Sequence, residues 1–522
     1  MGKKNIILLI IAIVLFVLVG STMAYFGWSS TAVNKDQLVD VTVSGGTGTC
    51  DKLSDNSKLL YPTSTREKGR ILKVTTKQQM AANAFVTWNL VVNSINDTSL
   101  TTSGLKHKSF KYELVNDTTG VSYGTGNFAN VSNGSTITIS TDKETLDFNK
   151  EYTFILYLWI DGTIGNNPLD MANQPYNFDL VCNITGTDTK ITPPAPTNMA
   201  KYIRYLYNNA EKKTVTNNSI TYNTAPSVSL MNDRLGSTST GIDSGNIRYY
   251  GASPNNYIYF NCSDYSNQSS STCETWRIIG VFNGKLKIIR NTSIGNYSWD
   301  NKNTSTGAES ANGKNDWTTA RLMKLLNPSD YYATDSNDNG LGQSLYYNSA
   351  SGKCYSGHNN ATVDCNFTST GIKNDTTRNL ISEETWNIGG WNSYSVYSNQ
   401  IYEYERGTTV YSGRPTTWTG KIGLMYPSDY GYAADLSQCT KQLSSYDSTC
   451  TSNDWLFNSA YQWTLPPYSR YAYAVFAVAS SGSLNYYHVS NTNGVRPVLY
   501  LASDLAMESG DGTSGSPYKL SA

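Results

Sequence analysis

The sequence predicts two domains behind an apolar N-terminal segment: an all-β sandwich followed by an α+β domain. Three observations carry this reading. Between residues 29 and 190, short alternating apolar runs recur between turn clusters such as SGGTGT, NDTTG and DGTIGNNP, the pattern of a sandwich. A Pro-rich stretch at 191–200, ITPPAPTNMA, then interrupts the chain and favours a stiff, extended spacer. Beyond it, helical periodicity is inserted between strand patterns, which marks an α+β domain. At 522 residues the chain also exceeds what one core organises.

The first element is residues 1–28. Lys3 and Lys4 precede an apolar run from Ile6 to Val19, then Gly20-Ser21-Thr22-Met23-Ala24. This fits a secretory signal peptide cleaved after Ala24. Uncleaved, residues 5–26 are about long enough to span a bilayer as a transmembrane helix and membrane anchor, with the two lysines on the cytoplasmic side. Either way the rest of the chain is exported.

Within 29–190, strands are predicted at 39–44, 70–75, 84–92, 109–114, 136–140, 152–160 and 176–182. The run YTFILYLWI at 152–160 is apolar on both faces and predicts a central strand. After the linker, residues 201–245 should hold the body of a helix over about 199–213, with Tyr202, Ile203, Leu206 and Tyr207 on its apolar face, then a polar, loop-like lead-in.

The second domain, 246–522, opens on WRIIGVFNGKLKIIR. Asn283-Gly284 between apolar runs predicts a type I′ hairpin, because that turn needs positive φ at both central residues. A two-residue turn would set Val281 opposite Leu286, Ile279 opposite Ile288, and Arg277 opposite Arg290. Like charges so placed repel, so that end should be wet or hold a carboxylate. Further on, helices are predicted at 317–326, capped by Asp316, and at 376–387. Later strands are expected at 420–426, 471–479 and 494–501. Pro497 argues for an edge or a bulge in the last.

Charge and cysteine usage bound the function classes. Formal net charge is zero, which gives no pull toward nucleic acid or acidic lipid. Charged residues make up only 15%, replaced by small polar residues and by 39 Tyr and 11 Trp. Ten residues separate Cys262 from Cys273, Cys354 from Cys365, and Cys439 from Cys450, which leaves Cys50 and Cys182 for each other. Zinc sites use closer ligand pairs and recruit histidine, of which there are three. Four disulfides are therefore expected, the three local ones each closing a short loop worth about 3 kcal/mol, in an oxidising, extracytoplasmic setting.

Two resemblances sharpen these expectations. GSTMAYFGWSS, the strand after it, and YLWIDG…NQPYNFDL resemble camelysin and the biofilm-matrix fibre proteins of Gram-positive bacteria, over roughly residues 15–185. That resemblance implies a jelly-roll-like sandwich. Camelysin relatives have been called metallopeptidases, but the chain has no His-Glu-x-x-His, and that activity is not carried over. FNC…CETWRIIGVF, NDWTTARLMKLLN, TTWTGKIGLMYPSDYGYA, SNDWL…WTLPP, NGVRPVLYL and GDGTSGSPYKL together resemble a family of Gram-positive surface proteins, over about residues 200–522. Its implied fold is related to C-type lectins and formylglycine-generating enzymes.

Candidate sites are few. Asp335, Asn337 and Asn339 match the first half of a calcium loop, whose alternate oxygens converge on a hard cation. Tyr346 stands where a bidentate Glu belongs, and an Asn/Asp-rich turn is the competing reading. Calcium is the one cofactor this motif would take. Asn453-Asp454-Trp455 and Asn315-Asp316-Trp317 do not match the lectin calcium set Trp-Asn-Asp. Trp391, Tyr394, Tyr397 and Trp418 lie in polar segments and are candidates for stacking on sugar rings, against a packing role for each. Glu403 and Glu405 fall on one face of an expected strand. A glycosidase needs two carboxylates at a set separation, whereas a solvated strand face needs none.

The expected function is a non-enzymatic adhesion or binding module at the cell surface, recognising a glycan or protein. The alternatives are a structural fibre or matrix subunit assembling through the sandwich, and a carbohydrate-active hydrolase. The recognition loops are expected between about residues 327 and 468.

Overall fold

The computed structural model describes residues 39–43, 48–55, 62–63, 66, 70–76, 83–95, 105–139, 143–164, 176–187, 190–191, 197–235, 245–300, 313–333, 341–355 and 361–521. The N-terminal apolar segment and the calcium-like loop at 335–340 lie outside the described residues, as do linker positions 192–196. Among the described residues no helix is long and apolar enough to cross a membrane. The chain is mostly β structure, in several antiparallel sheets, and divides into two compact units that meet between Pro194 and Ala195 in the sequence.

The first unit is a β-sandwich. One sheet runs in the order Val39–Val43, Tyr176–Thr187, Asn83–Ile95, Thr136–Ile139, with Leu146–Asp147 also paired to Asn83–Ile95. The other runs Gly48–Asp55, Arg70–Thr76, Glu151–Asp161, Phe110–Asn116, Val121–Asn127, with Pro62–Thr63 beside Glu151–Asp161. Strand period two sends alternate side chains inward. Ala84, Val86, Trp88, Leu90 and Val92 from one sheet meet Phe154, Leu156, Leu158 and Ile160 from the other in a single core. Trp88 and Phe154 touch across it, ring centroids 5.3 Å apart. Cys50 and Cys182 are bonded and tie the two sheets together.

Glu151–Asp161 sits in the middle of its sheet. Its second face buries Ile155, Tyr157 and Trp159 with Val115 in a separate cluster, which explains a run that is apolar on both sides.

The second unit is built on a nine-stranded sheet. Its order is Lys213–Asn217, Ile220–Ala225, Leu230–Asn232, Ile247–Tyr249, Glu274–Phe282, Lys285–Arg290, Val498–Tyr500, Ile422–Gly423, with Tyr257–Phe260 added to Glu274–Phe282. The polar stretch expected as loop thus supplies three strands, formed by an antiparallel meander that turns at Asn218-Ser219, both at positive φ. A second sheet of five strands runs Asn296–Ser298, Thr492–Gly494, Gln462–Pro467, Ala474–Val478, Leu484–His488. Helix Met199–Asn209 is capped by Asn198, whose side chain accepts from the Lys201 N–H at 3.0 Å, and it buries Met199, Ile203 and Tyr207.

The opening hairpin forms with Asn283 at φ 50° and Gly284 at φ 76°. Its register departs from the expectation. Val281 faces Leu286, but a bulge at Ile279 shifts the rest, so Ile278 faces Ile288 and Trp276 faces Arg290. Next to the bulge, Gly280 admits the neighbouring strand closely: a Cβ there would stand 2.2 Å from the Ile247 carbonyl oxygen. The two arginines are consequently not opposed. Arg290 pairs with Glu274 at 3.0 Å, and Arg277 lies over the Tyr257 ring at 3.8 Å.

Other elements are corrected in the same way. Asp316 caps a turn through the Thr318 N–H rather than a helix, which starts only at Arg321 (Arg321–Leu326). The helix expected at 376–387 ends at Leu380, and Glu384–Asn387 pairs as a strand with Thr417–Gly420. Pro497 precedes strand Val498–Tyr500, which lies inside the sheet between Lys285–Arg290 and Ile422–Gly423 rather than at its edge.

All eight cysteines are paired, as Cys50–Cys182, Cys262–Cys273, Cys354–Cys365 and Cys439–Cys450. Such complete pairing belongs to an oxidising, extracytoplasmic environment.

Candidate functional site

The edge strand Leu484–His488, LNYYH, ends the five-stranded sheet of the second unit and pairs with Ala474–Val478. Tyr486 is set opposite Phe476, Tyr487 opposite Val475 and His488 opposite Ala474. Alternation sends Tyr486 and His488 to one face and Tyr487 to the other. On the first face a run of rings forms. Tyr486 stacks on Tyr468, centroids 4.4 Å apart and planes 5° from parallel, and meets Tyr471 at 5.5 Å and Tyr394 at 5.9 Å. Tyr471 stacks on Tyr473 at 5.6 Å, and Tyr473 meets the edge of His488 at 4.8 Å. Tyr468 is buried beneath the run, whereas Tyr394, Tyr471, Tyr473, Tyr486 and His488 keep part of their surface in solvent.

Main-chain contacts hold the supporting loops. The Asn315 side-chain amide donates to the carbonyls of Tyr471 and Ala474, both at 2.9 Å, and its oxygen accepts from Arg414 Nε at 3.0 Å. Asn315, set aside as a lectin calcium ligand, thus anchors the segment that carries three of the tyrosines. Trp391 touches the supporting loop through its backbone, bridging to Tyr468. Its carbonyl accepts from the Ser469 N–H at 2.9 Å, and its ring stacks on Tyr404 at 3.8 Å with planes 7° apart. On the opposite face of the edge strand, Tyr461 is 43% exposed and stands 5.4 Å from Tyr487. Burial and the neighbouring Tyr461 push the Tyr487 hydroxyl up to about 12, so it remains a proton donor at neutral pH.

The structure sorts the aromatic residues singled out from sequence. Tyr394 belongs to this face, whereas the Trp391 ring stacks on Tyr404, outside the run. Tyr397 opens helix Ser398–Glu405, donating its N–H to Gln400 Oε1 at 3.0 Å, and is partly buried. Trp418 is 6% exposed and packs between Trp317, Trp386 and Tyr331, so it is core. Tyr471, Tyr473, Tyr486 and Tyr487 were not singled out. The available signal was alternation with aromatics in YSRYAYAV and LNYYH, which reads equally as strand packing.

The carboxylate pair is also corrected. Glu403 and Glu405 lie on helix Ser398–Glu405, not on a strand, and a spacing of two on a helix turns them apart. Glu403 is exposed and Glu405 is fully buried, so the two cannot share a cleft. Glu405 accepts from the Ser428 N–H at 2.8 Å and its hydroxyl at 2.5 Å, and pairs with Arg406 at 3.2 Å. Desolvation pushes its pKa up to about 7. Among the described residues no group of three or more His, Cys, Asp or Glu is placed to hold a metal ion. Asp335, Asn337 and Asn339 lie outside them. Asp454 is buried, accepts from the Leu456 N–H at 2.8 Å, and is pushed well above the usual carboxylate range by desolvation. Asp511 closes a turn through Thr513.

No protein family, curated protein or solved structure matches the chain.

Proposed function

We propose that the chain is an exported bacterial surface protein whose second unit binds an extracellular ligand without chemical turnover, with glycans as the favoured class. The observation that carries this reading is the run of partly exposed rings Tyr394, Tyr486, Tyr471, Tyr473 and His488 on the edge strand and its supporting loops. Flat aromatic faces offer apolar area to the C–H face of a sugar while phenol and imidazole groups hydrogen-bond its hydroxyls. Preformed, mutually stacked rings lose little side-chain entropy on binding. The paired cysteines support export, whether the apolar segment is cleaved near Ala24 or retained as an anchor through residues 5–26. A camelysin-like identity for the sandwich and a C-type-lectin-like one for the second unit belong to the same proposal.

A glycan array probed with the purified chain and with a Tyr471→Ala/Tyr486→Ala double variant tests it. Binding by the parent that falls at least tenfold in the variant supports the reading. No binding by the parent overturns it. A second reading, a fibre or matrix subunit, is favoured by the sheet edges at Thr136–Ile139 and Val121–Asn127, which have no strand partner on their outer sides among the described residues. Filament growth by the purified chain, with no glycan bound, would select it.

A further inference from the structure

Lys287 and Asp429 meet in the interior of the second unit. Lys287 projects from strand Lys285–Arg290 and Asp429 from the first turn of helix Pro427–Ala433, and neither side chain exposes more than 1% of its surface. Aromatic rings surround the amine: Tyr426 lies 4.3 Å from Nζ, Phe282 5.2 Å and Tyr500 5.5 Å. Three donors converge on the carboxylate. Lys287 Nζ and the Tyr426 N–H, at 2.9 Å, donate to Oδ2, and Arg248 Nη1 donates to Oδ1 at 3.0 Å.

We propose that this contact matures into a covalent intramolecular amide between Lys287 Nζ and Asp429 Cγ. Lys287 Nζ first passes one proton to Oδ2, to which it already donates; the uncharged amine then attacks Cγ of the neutral carboxyl and forms the C–N bond, and its second proton follows to Oδ2. Negative charge collects on Oδ1, where Arg248 already donates, so the oxyanion arises facing a fixed cation. The Cγ–Oδ2 bond then breaks. Oδ2 leaves as water with two protons that began on the Lys287 ammonium. Ammonium and carboxylate become amide and water, so atoms and charge balance without oxidant, reductant or co-reactant.

The surroundings favour the step in two ways. Desolvation brings the Lys287 amine down to about 8, within reach of its nucleophilic form. Desolvation also works to raise Asp429, but Lys287 and Arg248 outweigh it and hold the carboxyl below its ordinary value, which opposes the step until transfer of the lysine proton removes one of those two influences. Second, the four buried groups Asp233, Arg248, Asp429 and Lys287 sum to zero charge. Amide formation removes one charge of each sign and leaves Arg248 paired with Asp233 at 2.5 Å, so no ion is orphaned in the core.

Peptide mapping of the purified full chain by mass spectrometry tests the proposal. The expected product is a branched peptide joining the Lys287 and Asp429 segments, lighter than their sum by one water and absent from Lys287→Arg. Under reducing, denaturing electrophoresis the parent should run ahead of Lys287→Arg, because a closed loop of the chain survives. The decisive measurement is made on the unsubstituted chain and does not depend on the variant folding. Recovery of both segments only as separate linear peptides from the folded parent overturns the proposal.

Discussion

The interior of the sandwich is mostly apolar: Trp88, Leu90, Phe154, Leu156, Phe178 and Leu180 meet one another, and Glu144, the most buried carboxylate among its described residues, is met by Tyr123 at 2.6 Å and Asn116 at 2.7 Å. The interior of the second unit instead seats Asp233, Arg248, Lys287, Glu405 and Asp429 among its aromatic rings. The first core is held by area removed from water, which tolerates small shifts in position. The second depends on each charge keeping its partner, because an unpaired ion in such a place is strongly unfavourable. The second unit is therefore the more specific assembly and the one more sensitive to a single polar substitution.

The sharpest way to break the contrast is Asp429→Ala, which orphans Lys287 and leaves Arg248 with Asp233 as its only carboxylate partner. It should destabilise the second unit by about 5 kcal/mol, at the upper end for removal of one partner of a buried pair, and denaturant unfolding would show it. Replacing both Lys287 and Asp429 by leucine should cost less than the single change, which would locate the penalty in the orphaned ion. In the sandwich the largest single effect should come from Trp88→Ala, roughly 4 kcal/mol from lost burial and the cavity left behind, with no pH dependence of its own.

A pH series separates the cores further. Glu405 is raised from near 4.5 to about 7, chiefly by desolvation, so the folded chain holds its proton more tightly than the unfolded chain does. Its contribution is complete below about pH 4.5 and is lost as pH rises to about 7, by up to roughly 3 kcal/mol. Glu405→Gln should flatten the unfolding free energy across that window. The smallest effect on stability is expected at the aromatic face: Tyr486→Ala should change it by about 1 kcal/mol or less while removing the centre of the ring run. A loss of fold there would show that the rings are core rather than surface.

Local chemistry made much of this molecule legible in its sequence. Asn283-Gly284 announced its turn, the spacing of Tyr202, Ile203, Leu206 and Tyr207 its helix, and the two-sided run 152–160 its central place. What local pattern could not show was the outcome of contacts distant in the chain. The bulge at Ile279 answers to the close approach of Ile247–Tyr249, and it moved Arg277 out of line with Arg290. Lys287 reads as a solvent-facing residue on an alternating strand, yet its partner lies 142 positions away. Glu405 was misplaced for a related reason. YEYER suits a strand by alternation, and only the packing of Ile401, Tyr402 and Glu405 to one side of a helix reveals the other period. At the candidate face, Tyr394 was visible as an aromatic in polar surroundings. Tyr471 and Tyr486 were not, because a tyrosine that packs and a tyrosine that waits for a ligand look alike until a sheet edge leaves one of them half uncovered.

The bond between Cys50 and Cys182 gives the sandwich a mechanical character. It joins positions 132 apart in the chain, one near the start of the unit's strands and one on its last strand. A pull applied at the two ends of the protein passes from Cys50 to Cys182 through sulfur and on toward the second unit. Residues 51–181 stand outside that path. Tension along the chain would stretch the segments on either side while the intervening strands stay folded, so the bridged stretch acts as a fixed-length link rather than a spring.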